Sequence, residues 1–218
     1  MPEDPGSAEK RNRANELRRR YAKEAPKYDR SMGFFERRLF GTEHRGWACS
    51  QAIGDTLEVA IGTGLNLAHY PSEVRLTGVD FTPEMLALAK ARAEKMGRSI
   101  ELREGDAQDL PFADRSFDSV VCTYALCSVP DEAGAIFEMK RVLKPGGRLI
   151  LVDHIRSTVK PIFWLQRLYE LIPSRTKGEY MTRRPALHVM AANFEIRARD
   201  RLRAGVVERL VALKPEGA

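Results

Sequence analysis

The sequence predicts an α/β fold in which parallel strands form one sheet and helices connect them. Short apolar runs alternate with stretches of helical periodicity from residue 56 onward, which is typical of strand–helix–strand units. A glycine-containing turn directly follows the first of these runs, as in open sheets that bind a ligand at one edge. The 218 residues suit a single core, and 43% hydrophobic with 30% charged residues excludes a disordered chain or a polytopic membrane protein.

The first fifty residues predict two helices ahead of the sheet. Residues 15–30 carry many charges, so we expect an exposed helix that stops near Pro26, where the proline lacks a backbone N–H. Residues 34–53 show a clearer apolar stripe and predict a second, amphipathic helix. We expect residues 1–50 to form an N-terminal helical lid and residues 51–218 to form the main domain.

Strands and helices then follow in the alternating order that crossover connections require. Thr82 and Pro83 supply an N-cap and a first-turn proline for one helix. Pro145 to Gly147 are expected to end a later helix and to open a tight turn into the next strand. The predicted strands span residues 56–60, 74–80, 99–106, 116–124, 148–154, 194–200 and 205–213, and the predicted helices span 82–97, 131–147, 162–173 and 185–194.

The cysteines and the apolar runs indicate the cellular environment in which the protein is expected. Cys49, Cys122 and Cys127 form neither a disulfide framework nor a spacing typical of a zinc site, so we expect reduced thiols and no metal. No apolar run approaches the roughly 20 residues of a spanning helix, and the N-terminal residues lack the hydrophobic stretch of a signal peptide. The sequence therefore favours a cytoplasmic location.

The formal net charge of +6 is unevenly distributed along the chain. Residues 1–30 hold nine Lys/Arg and six Asp/Glu, a balance of +3, and residues 156–203 hold eleven and four, a balance of +7. Residues 31–155 hold 14 and 18, a balance of −4. Basic flanks of this kind suit an anionic partner, and a merely solvated basic face is the alternative.

Residues 58–66, EVAIGTGLN, place glycines in a turn directly after a strand. Gly62 and Gly64 let the backbone turn tightly and approach a ligand, and the helix expected to follow would offer unpaired N–H groups. Three residues after Gly64 stands Leu67, so the G-x-G-x-x-G spacing of dinucleotide-binding sites is incomplete. The loop therefore indicates a nucleotide-type cofactor, and the incomplete spacing weakens the case for NAD.

Asp80 and Asp106 stand at the ends of the next two predicted strands. The carboxyl ends of parallel strands meet at one edge of a sheet, so both carboxylates are expected near the glycine loop. There Asp80 could accept hydrogen bonds from both ribose hydroxyls, and Asp106 could accept one from an adenine amine. Taken singly, Asp80 could instead cap the turn before Thr82, and Asp106 could form an Asx turn.

Four segments together resemble the class I S-adenosylmethionine (SAM) methyltransferases: LEVAIGTGLNLAHYP, LTGVDFTPEMLALAKARA, EGDAQDLPFADRSFDSVVCTYALCSV and EMKRVLKPGGRLILVDH. They follow the usual motif order over about residues 56–154. Within that superfamily the chain is most similar to ubiquinone/menaquinone C-methyltransferases, soluble bacterial phosphatidylethanolamine N-methyltransferases and methyltransferase-like thiol methyltransferases. The resemblance implies a Rossmann-like, seven-stranded, mostly parallel sheet with a reversed last strand and helices on both faces. It also implies lid helices at the N-terminus and in a C-terminal-half insertion at about 156–192.

The resemblance further implies how SAM is held. The loop is expected around the methionine part of the cofactor, with Asp80 at the ribose and Asp106 at the adenine. Ala60 stands where the family usually has its first glycine, and we expect a slight adjustment of the loop there. The expected cofactor-binding residues are Tyr28, Glu58, Ala60, Gly62, Thr63, Gly64, Asp80, Phe81, Met85, Asp106, Ala107 and Thr123.

Several of these residues have a second interpretation. Phe81 and Met85 could pack on the adenine faces, and core packing explains them equally well. Thr123 is placed for its backbone to meet the amino group of the cofactor, as in similar enzymes. Tyr28 resembles a tyrosine that folds over the cofactor in related methyltransferases, and an exposed tyrosine at a helix end is the alternative.

Methyl transfer needs alignment and exclusion of water rather than a nucleophilic side chain, because the sulfonium of SAM carries its own leaving group. A base is needed only if the acceptor arrives protonated. Asp153 and His154, at the end of a strand that reaches the same sheet edge, are the candidates for that base or for acceptor binding. A histidine hydrogen-bonded in the strand-end turn is the alternative.

Apolar side chains outside the shared motifs predict a lid with basic edges. Such a face suits a small or lipid-like acceptor, including a phospholipid amine or a thiol, taken from a membrane surface that the protein contacts peripherally. A lid that merely covers the cofactor is the alternative. The apolar residues are Phe34, Phe35, Leu39, Phe40, Phe163, Trp164, Leu165, Leu168, Tyr169 and Ile172, and the basic residues are Arg37, Arg38, Arg167, Arg175, Lys177, Arg183 and Arg184.

The first functional hypothesis is therefore a SAM-dependent methyltransferase that acts on a small-molecule or lipid acceptor. An RNA methyltransferase is the second, because the flanks are basic, but no RNA-binding module is appended and a nucleic-acid partner is not favoured. A non-catalytic SAM-binding interaction protein is the third. The sequence carries no signal for a particular oligomeric state.

Overall fold

The computed structural model describes residues 5–171 and 179–217, with side chains from residue 14 onward. Within these residues seven strands form one sheet. They are β1 (Asp55–Val59), β2 (Arg75–Asp80), β3 (Glu101–Glu104), β4 (Phe117–Thr123), β5 (Leu143–His154), β6 (Glu195–Leu202) and β7 (Val207–Leu213). Their order across the sheet is β3-β2-β1-β4-β5-β7-β6, and β7 runs antiparallel to both of its neighbours. The predicted seven-stranded, mostly parallel sheet with a reversed last strand is confirmed.

The helices of the described chain lie before, between and after these strands. They are α1 (Pro5–Phe35), α2 (His44–Ser50), α3 (Pro83–Lys95), α4 (Glu132–Val142), α5 (Lys160–Glu170) and α6 (Pro185–Ala191). α1 continues into a π-helical turn, Glu36–Phe40, and a 3₁₀ turn spans Leu67–His69. Pro83 fills the first position of α3, whereas Thr82 makes no side-chain cap hydrogen bond there. None of these described helices is both long enough and apolar enough to cross a bilayer.

Each face of the sheet carries its own apolar core. Successive residues of a strand point to opposite faces, and in β4 Val120 and Cys122 pack on one side while Val121 packs on the other. α4 and α6 cover the first face and α2 and α3 the second, through side chains that include Met139, Val189, Ala48 and Ala93. Helices on both faces are therefore confirmed. α2 and α6 fall in segments expected to be lids, yet both contribute buried residues to these cores.

The first helix is longer than the sequence predicted. The expected stop near Pro26 is wrong, because α1 runs through this proline to Phe35. A proline inside a helix removes a backbone hydrogen bond and costs about 3 kcal/mol, so contacts with the rest of the fold must hold the segment. Asp29 supplies such contacts, since it accepts a hydrogen bond from the Thr63 hydroxyl and forms an ion pair with Arg92.

Two connections also differ from the prediction. The glycine loop does not enter an α-helix but leads into the 3₁₀ turn Leu67–His69, so the expected row of unpaired helical N–H groups is not formed. Pro145 to Gly147 lie inside β5 rather than before it, and the register of its pairing with β4 shifts at that point. The three residues thus form an irregularity within a strand instead of a turn that precedes it.

Candidate functional site

A cleft opens at the carboxyl edge of the sheet, beside the ends of β1, β2 and β4. It spans about 790 Å³, including its open mouth. Open α/β sheets bind ligands at this edge, outside the carboxyl ends of the strands. Most of the predicted cofactor residues line it, namely Tyr28, Ala60, Gly62, Asp80, Phe81, Met85, Asp106, Ala107 and Thr123.

The turn after β1 uses left-handed backbone conformations at the cleft. Ala60 has a φ of 55° and Gly62 a φ of 56°. A residue with a Cβ loses roughly 1–2 kcal/mol in this region, which is the physical reason that glycine is favoured at position 60. A Cβ added to Gly62 would face the Tyr28 ring, whose Cε1 atom lies 4.0 Å away. The backbone at Gly62 is therefore bare on the side of the cleft.

Asp80 joins the loop to the end of β2. Its Oδ2 accepts a hydrogen bond from the backbone N–H of Gly62 at 2.9 Å, and its Oδ1 accepts one from the N–H of Thr82 at 2.9 Å. Burial raises the pKa of this carboxyl, and the two N–H groups act against that rise. Each carboxylate oxygen retains a second lone pair, so Asp80 can still accept two further hydrogen bonds from a ligand. The turn-capping role and the ligand role are thus compatible.

The cover of the cleft comes from α1. Leu17, Tyr21 and Tyr28 line its outer wall, and the Tyr21 ring meets Phe81 edge to face at a centroid distance of 5.9 Å. Burial raises the pKa of the Tyr28 phenol, so this side chain is neutral. Sequence analysis identified Tyr28 but missed Leu17 and Tyr21. Their spacing with Tyr28, at 17, 21 and 28, is helical and becomes informative only if the helix continues past Pro26.

The far end of the cleft lies after β3. Asp106 lines it, and its Oδ1 accepts hydrogen bonds from the backbone and the side-chain amide of Gln108, both at 2.9 Å. This is the Asx-type turn that the sequence offered as an alternative for Asp106. Gln108, Ala107 and Met85 line the same end, and Gln108 was not predicted. The site can therefore enclose a flat, largely apolar group with a few polar atoms at its rim.

Three predicted cofactor residues, Glu58, Thr63 and Gly64, do not line the described cleft. A Cβ on Gly64 would lie 2.8 Å from Leu67 Cδ1, so this glycine allows close packing. Glu58 is buried and its Oε1 accepts a hydrogen bond from Asn66 Nδ2 at 2.9 Å. Burial raises the Glu58 pKa to about 8. We therefore infer that Glu58, Thr63 and Gly64 stabilise the glycine loop from the side that faces away from the cleft.

A buried polar network that sequence analysis missed backs the cleft at Thr123. The Arg45 guanidinium forms an ion pair with Glu36 at 2.7 Å and donates hydrogen bonds to Asn66 Oδ1 and Thr123 Oγ1 at 2.9 and 3.0 Å. It also lies over the Tyr124 ring, 5.2 Å from the centroid. A lone arginine in a short helix carries no sequence signal of burial. The network connects the π-helical turn after α1 to the end of β4.

Asp153 and His154 lie at the end of β5 and do not line the described cleft. The His154 ring stacks on Phe40 at a centroid distance of 5.5 Å, and Phe40 stacks on Tyr124, which forms part of the cleft wall. Burial lowers the His154 pKa to about 4 and raises the Asp153 pKa to about 7. At neutral pH the imidazole is uncharged and takes up a proton only weakly, which does not favour it as a general base.

Comparison with known proteins agrees with this geometry. Residues 57–151 match the protein family described as "Methyltransferase domain". The chain is 41% identical over 111 residues to the phosphatidylethanolamine N-methyltransferase of Cereibacter sphaeroides, covering 50% of this chain and 55% of that protein. It is 36% identical over 159 residues to the demethylmenaquinone methyltransferase of Deinococcus radiodurans, covering 68% and 64%. The chain thus spans between half and two thirds of the length of these two relatives.

Solved structures lead to the same family. A SAM-dependent methyltransferase of Methanosarcina mazei is 26% identical, with a TM-score of 0.60 over 74% of this chain and 92% of that one. The chain contains a class I SAM-dependent methyltransferase domain. SAM is the cofactor of this methyltransferase domain.

The cleft of the methyltransferase domain fits SAM in its chemistry. The spare lone pairs of Asp80 suit vicinal ribose hydroxyls, and the bare backbone at Gly62 admits a close approach. The apolar end at Met85 and Ala107 suits a flat base. Gly62 follows β1, Asp80 ends β2 and Ala107 follows β3, and the parallel pairing of β2 with β1 and with β3 brings these strand ends together.

The methyltransferase domain does not use the expected apolar lid as the cover of the cleft. None of the described apolar residues in the ranges 34–40 and 163–169 lines the cleft, and Phe40 is buried against Tyr124. Arg183 turns inward and donates hydrogen bonds to the carbonyl oxygens of Leu126 and Val129. Among the described apolar residues of the expected lid, the exposed ones are Phe34, Phe35, Leu39, Trp164, Leu165, Leu168 and Tyr169. Ile172, Arg175 and Lys177 lie outside the described residues.

Proposed function

We propose that the protein transfers the methyl group of SAM to a membrane-lipid acceptor, a phospholipid amine or a lipid-soluble quinone, at an anionic membrane surface. The names of its relatives support acceptors of this kind, and they favour neither RNA methylation nor a non-catalytic role. The single observation that carries the proposal is the orientation of α5, which exposes large apolar side chains to solvent and buries two polar ones.

In this proposal the chain binds SAM in the cleft at the sheet edge. Asp80 accepts the ribose hydroxyls, the backbone at Ala60 and Gly62 approaches the methionine part, and the adenine lies between Phe81, Met85 and the Asp106–Ala107 turn. Thr123 offers its backbone to the amino group. Glu58, Thr63 and Gly64 hold the loop in shape rather than touching the cofactor. α1 closes over the cleft with Tyr21 and Tyr28.

SAM would supply, when bound, a methyl group on a sulfonium: an electron pair of the acceptor forms the new bond to that carbon while the sulfur keeps the pair of the broken bond, so the protein needs no nucleophile of its own. The work of the chain is to align the acceptor with the methyl carbon and to exclude water. Tyr21 and Tyr28 exclude water on the α1 side, and Tyr124 closes the opposite wall. We do not assign deprotonation of the acceptor to His154, because burial disfavours its protonated form.

The supporting observation at α5 is that its two buried side chains are polar, whereas several of its large apolar side chains are exposed. Gln166 and Glu170 are its buried residues, whereas Trp164, Leu165 and Leu168 are 68, 65 and 61% exposed. A surface helix normally has the opposite arrangement. An apolar face of this kind suits insertion into the headgroup region of a bilayer.

Hydrogen bonds fix the orientation of α5. Gln166 accepts from the backbone N–H of Ser157 at 2.8 Å and donates to the carbonyl of Ile155 at 2.8 Å. Glu170 accepts from the N–H of Thr182 at 2.6 Å and from its hydroxyl at 2.8 Å. Because these anchors come from the segment that follows β5 and from the segment before α6, rotating the apolar face inward would break them all.

Exposed cations favour an anionic surface over another apolar partner. Lys160 and Arg167 lie on α5, and Arg37 and Arg38 lie next to the exposed Leu39. Each Lys or Arg close to an anionic membrane contributes about 1 kcal/mol. We therefore propose a cytoplasmic protein that contacts the membrane peripherally through α5, with residues 1–50 and 156–192 shaping access for the acceptor.

A vesicle-binding experiment tests the membrane contact. Wild-type protein should float with vesicles of phosphatidylethanolamine and phosphatidylglycerol. The double variant Leu165→Ser/Leu168→Ser should lose at least about tenfold in partitioning, because each leucine inserted contributes about 1.5–3 kcal/mol. Phe137→Ser, at an exposed apolar position on α4, is the matched control and should float like wild type. Equal flotation of the double variant and the control would refute the contact.

A methyl-transfer panel tests the acceptor. With radiolabelled SAM, label should enter vesicle phosphatidylethanolamine or a demethylated quinone in mixed micelles, and the two arms distinguish the amine from the quinone. Label only in RNA, or tight binding of S-adenosylhomocysteine without turnover on any arm, would overturn the proposal in favour of one of the alternatives.

The variant Asp80→Asn tests the cofactor site. The amide keeps one oxygen but loses the charge, so affinity for S-adenosylhomocysteine should fall roughly 10- to 100-fold, the effect of losing hydrogen bonds to a charged group. Asp55→Asn, at the opposite end of β1, should bind like wild type. Calorimetry that found equal affinities for both variants would place the cofactor elsewhere.

A further inference from the structure

The ends of β4 and β5 hold a buried cluster of metal-ligating side chains. Cys127, Asp153 and His154 each offer one donor atom, and these three atoms lie within 4.8 Å of one another. Cys127 belongs to the segment after β4, and the other two residues end β5. Because 25 residues lie between the cysteine and the pair, no sequence spacing signals the cluster.

Cys127 Sγ donates a hydrogen bond to the Tyr124 carbonyl at 3.9 Å, whereas the other two residues of this cluster each have a buried polar atom without a partner in the described part of the chain. Asp153 and His154 are 3 and 7% exposed, and Asp153 Oδ2 and His154 Nδ1 make no hydrogen bond with the described residues. Most buried polar side-chain atoms in folded proteins have a partner, so two orphans beside one thiol require an explanation. A bound cation would satisfy both.

We propose that Cys127, Asp153 and His154 bind one thiophilic divalent cation, of which Zn²⁺ is the type. A thiolate, an imidazole nitrogen and a carboxylate oxygen are the ligands that Zn²⁺ prefers, at about 2.0–2.3 Å. Tetrahedral geometry at those lengths separates ligand atoms by roughly 3.3–3.8 Å, so donors that lie within 4.8 Å of one another need to approach by at most about 1.5 Å. Three protein ligands leave a fourth position open.

The charges of the cluster suit a divalent cation. On binding, the thiol and any protonated carboxyl release their protons to solvent, and one thiolate plus one carboxylate then neutralise the two positive charges. Arg183 lies nearby, where it donates to the carbonyl oxygens of Leu126 and Val129 on either side of Cys127. The loaded site is neutral as a whole, so this guanidinium does not repel it.

The cation would tie the segment after β4 to the end of β5, behind the cleft wall. Tyr124, Ala125 and Ser128 of that segment line the cleft, and Cys127 lies among them. A bound metal would therefore fix the shape of the cleft without depending on the identity of the acceptor.

Metal binding is measured on the full-length protein stripped with chelator and desalted. One Zn²⁺ per chain should be retained after dialysis, and Co²⁺ should give a sulfur-to-cobalt charge-transfer band in the near ultraviolet. Zinc should also raise the thermal unfolding temperature. Cys127→Ser should abolish the cobalt band and weaken zinc affinity about 100-fold or more.

Two further variants keep the test decisive. Asp153→Asn retains the oxygen that accepts a hydrogen bond from the backbone N–H of His154. This variant should weaken zinc binding, and it provides the test even if Cys127→Ser does not fold. Cys49→Ala changes another buried cysteine, outside the cluster, and should bind zinc like wild type. Less than one zinc per two chains, or equal affinities in all variants, would overturn the site. Methyl transfer is not read out, so this outcome is independent of the proposed function.

Discussion

Ala60 shows how one backbone angle constrains the cofactor loop. Its φ of 55° lies where glycine is favoured, and the following Gly62 adopts nearly the same angle. The chain therefore carries local strain at the point where the backbone must approach a ligand. The alanine side chain is small enough for the loop to keep its hydrogen bond from Gly62 to Asp80.

The substitution Ala60→Gly should relieve this strain. We expect the free energy of unfolding to rise by up to about 1 kcal/mol, since the steric gain exceeds the entropy that glycine loses on folding. Ala91→Gly, at an exposed position inside α3, should lower it by about 1 kcal/mol. Urea unfolding of both variants measures the difference, and a shift of the same sign in both would contradict the explanation.

Glu58 should make stability depend on pH. In the folded protein this carboxyl keeps its proton up to about pH 8, whereas its ordinary pKa is 4.5. The folded state thus binds more protons in this window, so the contribution of Glu58 is complete below about pH 4.5 and is lost as the pH rises through 8. The free energy of unfolding should fall across that range.

The variant Glu58→Gln isolates this effect, because it keeps an oxygen for Asn66 and removes the titration. Its free energy of unfolding, followed by urea denaturation from about pH 5 to pH 8, should fall less steeply than that of wild type. Glu101→Gln, at an exposed strand position, should track wild type. Parallel curves for wild type and Glu58→Gln would show that Glu58 is ionised in the folded state.

Among the elements, α1 depends most on the rest of the fold. Its sequence is highly charged and contains Pro26, and isolated helices of such composition are marginal in water. Ion pairs of Arg18 with Glu104 and of Asp29 with Arg92 hold it against the sheet and α3. The side chains of Leu17 and Tyr21 on α1 line the cleft.

The variant Pro26→Ala should restore a helical hydrogen bond in α1. We expect stabilisation of up to about 3 kcal/mol and slower amide hydrogen exchange over residues 17–30. Lys27→Ala, next to it and exposed, should stay within about 0.5 kcal/mol of wild type. Faster exchange in Pro26→Ala would mean that the proline fits its position better than a regular helix does.

For the whole molecule, the distribution of charge matters more than its sum. The acidic middle of the chain builds most of the sheet, and the basic flanks contain α1 and α5. β6 is an exposed strand at one edge of the sheet, and its alternating charges discourage pairing with another chain. The net positive charge of the two flanks is therefore available for contact with an anionic membrane surface.

Binding to vesicles should therefore depend on salt. Raising NaCl from about 0.05 to 0.5 M shortens the screening length to a few ångströms, so partitioning onto anionic vesicles should fall at least about tenfold. The weaker partitioning onto zwitterionic vesicles should change little, because it depends on the apolar face of α5. Flotation at both salt concentrations measures this, and equal salt sensitivity on the two lipids would contradict the assigned orientation.

Much of the fold and of the cleft was predictable from the sequence because both depend on local pattern. β1 was predicted at residues 56–60 and spans Asp55–Val59, because a short, mainly apolar run bounded by turn residues indicates a strand; parallel strands then place their carboxyl ends together wherever they lie in the chain. Asp80 and Gly62 therefore meet as expected, and their 2.9 Å hydrogen bond follows from that topology.

Tertiary structure alone decided what lies over and behind the cleft. α1 passes Pro26 because Asp29 finds Thr63 and Arg92, and the apolar face of α5 turns outward because Gln166 and Glu170 find partners on other segments. Cys127 meets His154 only after β4 pairs with β5. In each case the deciding contacts join different segments of the chain, from 9 positions apart for Gln166 and Ser157 to 63 for Asp29 and Arg92, and the periodicity within one segment carries no information about such partners.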